Sequence, residues 1–392
     1  MSRVDVFRLF MTAEVNPNIP HSLVLLSQSF IFEPPAGVKA SLTRSLTSIS
    51  QERMDQAPAE RGRVYFLLMW FHALVLERLQ YVPIGWTKPY EFSSSDENCS
   101  LRAIDEWIER VANGRTHVAP EEIPWDALRA ILGQSFYGGR VDNRFDQALL
   151  DSFLEDLFSQ QSFNSNFNLC DGIIAPKGTK HKDFLKFVEG LPDSTSPEWI
   201  GLSASAETVI LENKGIRLLQ KLSTIQELSS RRSVTAGVDA SDVDNMRIKS
   251  EEQSVITFTR FQNELMKTRQ EVAKLKSVPL DSLHLTVEFE RKANTDSDAG
   301  FCVEGLYLEG AKLAGNKITL SDEGKCNLPN TFFSWHQHDS SQSGKSVIHI
   351  PFYFDAQRHE LIASVPVNID ETQPKQFLQR GVAMIAGDRC KF

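Results

Sequence analysis

Two hydrophobic periods divide this chain. Through its first two thirds, apolar positions recur every three or four residues, the spacing that lays one face of an α-helix on a core. Residues 60–80 are apolar on nearly every face, which predicts a central, fully buried helix. A second helix is predicted over 98–112, with Leu101, Ile104, Ile108 and Val111 on one face and a capping box at Ser94 and Glu97. Pro124 stands where a first helical residue belongs and opens a helix over 124–135. A helix over 143–158 presents Phe145, Leu149, Phe153 and Leu157, with Leu150 and Leu154 beside them. Further helices are predicted near 180–190, 205–227 and 253–276, the last carrying Phe258, Phe261, Leu265, Val272 and Leu275.

Near residue 283 the period falls to two. Leu283, Leu285, Val287 and Phe289 alternate with His284, Thr286 and Glu288, the pattern of a half-buried strand. More strands are predicted near 301–308, 317–320, 331–336, 346–354 and 361–368, with Gly315-Asn316 as a tight hairpin turn. A helix over 373–380 and a strand over 382–386 complete the set. Several short antiparallel strands in succession imply a small barrel or sandwich. At the other end, Phe7 to Met11 and Phe30-Ile31-Phe32 read as strands around a short helix from Pro20 to about Ser27. That is a βαβ half-unit of a parallel sheet. Two strands make no stable sheet alone, so the chain is expected to open partway through a domain, with an unpaired sheet edge near Val6. The fold class is α+β.

Composition narrows the function. Hydrophobic content of 41% and charged content of 24% suit a soluble globular protein, and 392 residues allow two or three domains. The net charge of −9 argues against nucleic acid, an anionic membrane or an acidic polymer as main partner. The longest uncharged apolar run in the helical region, Val64 to Leu76, has about 13 residues where a bilayer span needs about 20. Cys99, Cys170, Cys302, Cys326 and Cys390 form no Cys-x-x-Cys pair, which points to reduced thiols without zinc. Residues 228–252, rich in Ser, Asp and Arg, read as a disordered linker, and Arg231-Arg232 within it as a solvated pair rather than a phosphorylation-linked basic site.

Candidate chemistry is sparse. Gly344-Lys345-Ser346 invites a phosphate-loop reading, but the glycine that pattern needs earlier is Asp339, and a strand rather than a helix follows. A hairpin loop is the better reading. His336-Gln337-His338 puts two imidazoles on one strand face, with Asp339 close, yet no further ligand completes a metal set. Gly138-Gly139-Arg140 could cradle an anion, but the better reading is a sharp turn between helices in which glycine supplies positive φ. Trp70, Trp86, Trp107 and Trp125, four of the six tryptophans, sit in the helical region as core rather than as a ligand pocket.

Residues 61–146 carry a resemblance. Tyr65 to Arg78, Gly85-Trp86, Tyr90-Glu91-Phe92, Ile123-Pro124-Trp125 and the run Tyr137 to Asp142 resemble the helical lid of the sixth AAA+ module in cytoplasmic dynein heavy chains. Upstream, FRLFMTAEVNPNIP and FIFEPPAGVKASLTRSL resemble the end of that module's large subdomain. Downstream, LPDSTSPEWIGL, EGLYLEGAKL and FLQRGVAMI resemble the dynein C-terminal domain. The similarity covers roughly 4–227 and 279–387. The middle, about 228–278, matches poorly and is shorter than in the family.

The resemblance implies a layout: the incomplete end of an AAA+ large subdomain over 1–50, a helical lid over 51–160, the helical part of the C-terminal domain over 161–277, and a C-terminal antiparallel barrel over 278–392. It implies a segment of a minus-end-directed microtubule motor driven by ATP, found in the cytoplasm with the dynein complex. This segment would catalyse nothing and hold no nucleotide or metal. ATP and magnesium would belong to other modules, which with the dynein subunits would be its partners. The microtubule would be met only through a coiled-coil stalk that lies elsewhere. His21 to Ser29 contains no arginine finger, and Thr12 stands at a sensor-like position suited to satisfying local backbone groups. Trp86, Trp125, Tyr137, Gly138, Gly139, Arg140 and Asp142 are the structural or interface candidates, with Arg140 and Asp142 facing a neighbouring subdomain. The competing reading is a free interaction module, a helical scaffold with a barrel that binds a peptide or adaptor; an enzyme would need converging titratable groups that the sequence does not offer.

Overall fold

In the computed structural model, the segment predicted as a βαβ half-unit keeps its helix and shows neither strand among the described residues. The structure describes residues 8–13, 19–31, 35–211, 215, 218–219, 222, 259, 261–289, 300–337, 347–369 and 374–391. They fall into two units, Met1–Ala36 and Gly37–Phe392. In the first, helix α1 (His21–Leu26) starts after Pro20 and buries nothing. Residues 8–13 and 28–31 have no ladder partner among the described residues, and Phe10 (86% exposed) and Ile31 (75%) face solvent. A strand exists only where a neighbour takes its hydrogen bonds; apolar alternation alone does not supply one. Val6 lies outside the described residues.

The second unit begins with α2 (Val38–Ser48) and α3 (Gln51–Met54), followed by α4 (Glu60–Arg78) and a 3-10 turn at Leu79–Tyr81. Helix α4 packs against α2, α5 (Ser94–Ala112) and α7 (Arg144–Leu157), which explains its burial on every side. Phe66, Trp70 and Phe71 from α4 share a core with Leu42, Ile104, Leu150 and Phe184. The capping box of α5 lies one residue earlier than predicted: Ser93 caps, and its N–H donates 2.8 Å to the Asp96 carboxylate. Ser94 and Glu97 fit the same spacing, but Glu97 turns inward and is buried beside His72. Pro124 is likewise the cap rather than the first turn of α6 (Trp125–Ile131), its ψ of 70° being non-helical. The helix then widens into a π turn, Leu132–Phe136, closed by Tyr137 N–H on the Leu132 carbonyl at 3.0 Å. A small hairpin, β1 (Asn168–Cys170) with β2 (Ile173–Ile174), precedes α8 (His181–Glu189), a 3-10 turn at Pro197–Ile200, and α9, described over 206–211. The linker expected over 228–252 lies outside the described residues.

Helix α10 (261–276) leads to a seven-stranded sheet. Its strands are β3 (Leu283–Phe289), β4 (Gly300–Ala314), β5 (Lys317–Asn327), β6 (Thr331–Gln337), β7 (Val347–Tyr353), β8 (Leu361–Asn368) and, after α11 (Pro374–Gln379), β9 (Ala383–Lys391). The order is β3-β6-β4-β9-β7-β8, with β5 on β4. The expectation of a purely antiparallel sheet needs one correction: β7 and β9 run parallel, because α11 returns the chain so that β9 enters beside β7 in the same direction.

Two glycines bend this sheet. Strand β4 pairs β6 over Gly300–Val303, then β9, then β5. Its register slips between Glu304 and Leu306 and between Glu309 and Ala311. The residues in the gaps, Gly305 (φ 84°) and Gly310 (φ 73°), hold the left-handed backbone that such bulges require. The curl brings the end strands β3 and β8 together without a ladder. Inside, Phe333 stacks between Phe301 and Phe352, each at 5.6 Å, and Phe261 of α10 meets all three edge-on.

Candidate functional site

The helical core and the sheet core meet at the turn between α11 and β9, and two buried arginines hold that turn. Arg78 ends α4 and is fully buried. Its Nε donates 3.0 Å to the Gly85 carbonyl, and its Nη1 donates to the carbonyls of Ile200 and, at 3.0 Å, Gln379. The guanidinium plane lies over Phe153 (5.2 Å) and Trp86 (5.8 Å). Burial pushes its pKa down to about 9, so it stays charged at neutral pH. Arg358, from the turn after β7, donates 3.0 Å to Glu309 and 2.8 Å to the Gly381 carbonyl. One guanidinium from the helical part and one from the sheet part therefore grip carbonyls two residues apart.

Steric fit tightens the joint. Gly381 has φ 66°, and a Cβ there would stand 2.5 Å from the Ile84 carbonyl oxygen. The helical loop thus packs directly on the turn, at a position that only glycine allows. Around the rim, Lys375 pairs with Glu155 (2.7 Å) and Asp156 (3.2 Å), Gln379 Nε2 donates 2.8 Å to Asp156, and Asn143 Nδ2 lies 3.5 Å from the Tyr353 hydroxyl. The exposed contacts of Lys375 and Gln379 with α7 add register more than energy.

Behind the joint, Asp146 of α7 is buried and fully engaged. It accepts from Thr87 N–H at 3.1 Å, from the Thr87 hydroxyl, and from Tyr90 O–H at 2.7 Å. Burial pushes its carboxyl pKa up, and those three donors pull it back. Burial, then Asp146, push the Tyr90 phenol far up. The network fixes the loop that carries Trp86 to the first turn of α7, which in turn fixes the Phe153 ring under Arg78.

The residues singled out in the sequence are spread over the helical core and its surface. Trp86 is fully buried, its indole N–H on the Val75 carbonyl at 3.1 Å. Trp125 donates 2.8 Å to the Pro120 carbonyl and packs near Phe163. Tyr137 is fully buried, edge-on to Phe71, with its hydroxyl 3.0 Å from His72 Nδ1. Gly138 and Gly139 make a 3-10 turn without the expected positive φ; Gly138 instead approaches the π turn so closely that a Cβ would stand 1.6 Å from the Gly133 oxygen, whereas Gly139 has only the Gln134 oxygen at 3.7 Å. Arg140 pairs with Asp96 at 3.0 Å, and Asp142 with Lys88 at 2.6 Å, so both surface charges have partners within the helical part. His336 Nε2 lies 3.0 Å from the Ser334 hydroxyl. Thr12 is exposed. Gly344, Lys345, Ser346, His338, Asp339, Arg231 and Arg232 fall outside the described residues. Among the described residues no group of three His, Cys, Asp or Glu side chains could hold a metal, and no helix is long and apolar enough to cross a membrane.

Sequence reasoning missed Arg78, Arg358, Gln379 and Gly381. An arginine at a helix end reads as solvated, and nothing local to it reports a turn three hundred residues away. The one available signal was the run FLQRGVAMI, which contains both Gln379 and Gly381.

Residues 61–206 match the family model of the dynein heavy chain AAA lid domain, and residues 249–386 that of the C-terminal domain of the dynein heavy chain. The protein is 46% identical over 243 residues, 59% of its length, to the cytoplasmic dynein heavy chain of Drosophila melanogaster. It is 46% identical over 222 residues, 56% of its length, to that of Dictyostelium discoideum. To cytoplasmic dynein 2 heavy chain 1 of Chlamydomonas reinhardtii it is 31% identical over 242 residues, 60% of its length. The matched region is 5% of each of these relatives.

Proposed function

Because this protein belongs to the dynein heavy chain family, carrying its AAA lid and its C-terminal domain, we propose that it works as a non-catalytic mechanical part of an AAA+ ring. Its task is to pass rigid-body motion between neighbouring modules and to set the output of an ATP-driven, minus-end-directed microtubule motor in the cytoplasm. ATP and magnesium act in other modules of that ring, which with the dynein subunits are its partners. The observation that carries this reading is the buried joint at Arg78. A charged guanidinium that donates to three backbone carbonyls and packs against two aromatic rings is shut away from solvent. What it does is lock a helix end, a loop and a distant turn into one geometry. Motion applied to the lid helices then reaches the barrel without slack, as a relay through packed elements requires.

Calorimetric titration of the purified protein with ATP and magnesium tests this. No saturable heat is expected. Tight, magnesium-dependent ATP binding, or ATP turnover by the protein alone, refutes the reading. Aggregation of the isolated protein that is relieved by co-expressing upstream heavy-chain sequence is the further outcome expected, given the exposed Phe10, Leu26 and Ile31 of the first unit.

A further inference from the structure

Helix α9 is anchored at its start and bare beyond it. Ala206 is buried in the helical core, Ile210 packs against that core, and Val209 and Ser205 lie beside Gly324 of β5. Residues 211, 215, 218, 219 and 222 are helical as well. There Leu211, Leu218, Leu219 and Leu222 are between 52% and 67% exposed, and Gly215 has open space where a Cβ would stand.

These five positions share one face. At about 100° per residue they fall within an arc of about 100°, on the side turned away from Ala206 and Ile210. A single exposed leucine is ordinary on a protein surface, but four on one helical face form a contiguous apolar stripe, and such a stripe marks an interface. The charges of the same run are sorted along the sequence. Glu207 and Glu212 come first, and Lys214, Arg217 and Lys221 follow.

We infer that this face of α9 is an interface for a second copy of the chain, the two helices packing antiparallel through their leucine stripes. A partner helix must bring its own apolar stripe with the opposite charge order, and the chain itself carries both. Antiparallel packing sets the acidic start of each run against the basic end of the other, twice over by two-fold symmetry, whereas parallel packing sets acid on acid and base on base. With Leu211 of one copy facing Leu222 of the other, Leu218 comes to lie over Gly215, where the missing side chain makes room for it. Glycine is otherwise a poor choice within a helix. The interface uses neither nucleotide nor any other module of a ring.

Analytical ultracentrifugation of the full chain tests this, in a background of Phe10→Ser, Leu26→Ser and Ile31→Ser so that the exposed apolar residues of the first unit do not aggregate it. The sedimenting mass should double between about 1 and 100 µM, the range suited to so small an interface. Leu218→Glu, at an exposed position that leaves the fold intact, should hold the mass at one copy. Glu207→Lys with Glu212→Lys makes the run basic throughout and should weaken association by about threefold to tenfold. Adding Lys214→Glu, Arg217→Glu and Lys221→Glu sorts the charges again in reverse order and should restore it. The inference is overturned if the mass stays at one copy at the highest concentration, if it climbs past two copies, if Leu218→Glu still pairs, if the first charge reversal changes nothing, or if the second fails to restore pairing. No ATP is present, so none of these outcomes bears on the non-catalytic reading above.

Discussion

Arg78 donates a 3.0 Å hydrogen bond to the carbonyl of Gln379, 301 positions further along the sequence. The same guanidinium serves Gly85 and Ile200, so its removal strands two buried carbonyls and the part-buried one of Gln379 at once. A buried acceptor left without a donor costs about 1–3 kcal/mol, partly offset because a buried charge is removed with it. Arg78→Met should therefore lose about 2–4 kcal/mol, and Arg78→Lys, which keeps the charge but cannot reach three carbonyls, somewhat less. Urea unfolding followed by tryptophan fluorescence and by circular dichroism should show the two transitions separating in Arg78→Met, as the helical and sheet cores come apart. A variant with the parent's midpoint and a single coincident transition would remove Arg78 from its role.

Gly138 and Gly139 are adjacent and should respond oppositely to alanine. At Gly138 the new Cβ would meet the Gly133 carbonyl at 1.6 Å, which only movement of the π turn can relieve; overpacking of that kind costs about 1–3 kcal/mol or more. At Gly139 the only neighbour is the Gln134 oxygen at 3.7 Å, ordinary contact, so alanine should be neutral or stabilise by about 0.5 kcal/mol through the unfolded state. Thermal unfolding of the two variants side by side checks the contrast, and equal shifts would contradict it.

How far the sequence revealed this fold depended on whether the deciding interaction was local. The alternation over 283–289 reproduces β3 residue for residue, and the run at 60–80, apolar on nearly every face, is the buried helix α4 with the turn that follows it. Both patterns record burial directly. The run over 301–308 undershot β4, which spans Gly300–Ala314, because Gly310 looks like a strand end when it is a bulge that lets the strand change partners. Ser321 to Gly324 hid the second half of β5 in the same way, by being polar on an edge strand. Apolar strands were expected around α1 because their side chains fit a sheet, but no partner strand for them stands among the described residues. Arg78 was illegible for the opposite reason: its surroundings are apolar only because a distant turn closes over it.

His72 should make the helical part sensitive to acid. It is buried, with Nδ1 3.0 Å from the Tyr137 hydroxyl and Nε2 3.9 Å from Glu97. Burial holds its pKa down to about 4, against the pull of Asp96 and with the push of Arg44. In the unfolded state the imidazole takes a proton below about pH 6.5. Between those two values the unfolded state binds more protons, so stability falls as the pH falls from 6.5 toward 4. Glu97, whose carboxyl burial pushes up, works in the other direction, since its native form holds a proton that the unfolded form has released. The His72 contribution is a drop of about 2–3 kcal/mol across the window. His72→Gln should therefore lose less stability than the parent between pH 7 and pH 4 in matched urea titrations. Parallel losses would mean that another group sets the acid limit.

Gly381 allows the joint to be separated from the conformation it uses. Its alanine variant carries two penalties: a left-handed residue at φ 66°, and a Cβ placed 2.5 Å from the Ile84 carbonyl oxygen. Gly315, in the hairpin between β4 and β5, has nearly the same backbone at φ 63° and nothing within 4 Å of its virtual Cβ. Gly315→Ala thus measures the conformational cost alone, about 1 kcal/mol. The excess loss in Gly381→Ala, expected at about 2 kcal/mol or more, is then the cost of prying the turn from the helical loop. The same displacement pulls the Gln379 carbonyl away from Arg78 and the Gly381 carbonyl away from Arg358. If all three contacts form one joint, Gly381→Ala combined with Arg78→Met should cost clearly less than the sum of the two single changes, by about 1 kcal/mol or more. Strict additivity would mean that the turn and the arginine act independently, and that the lid and the barrel have no single point of coupling at this turn.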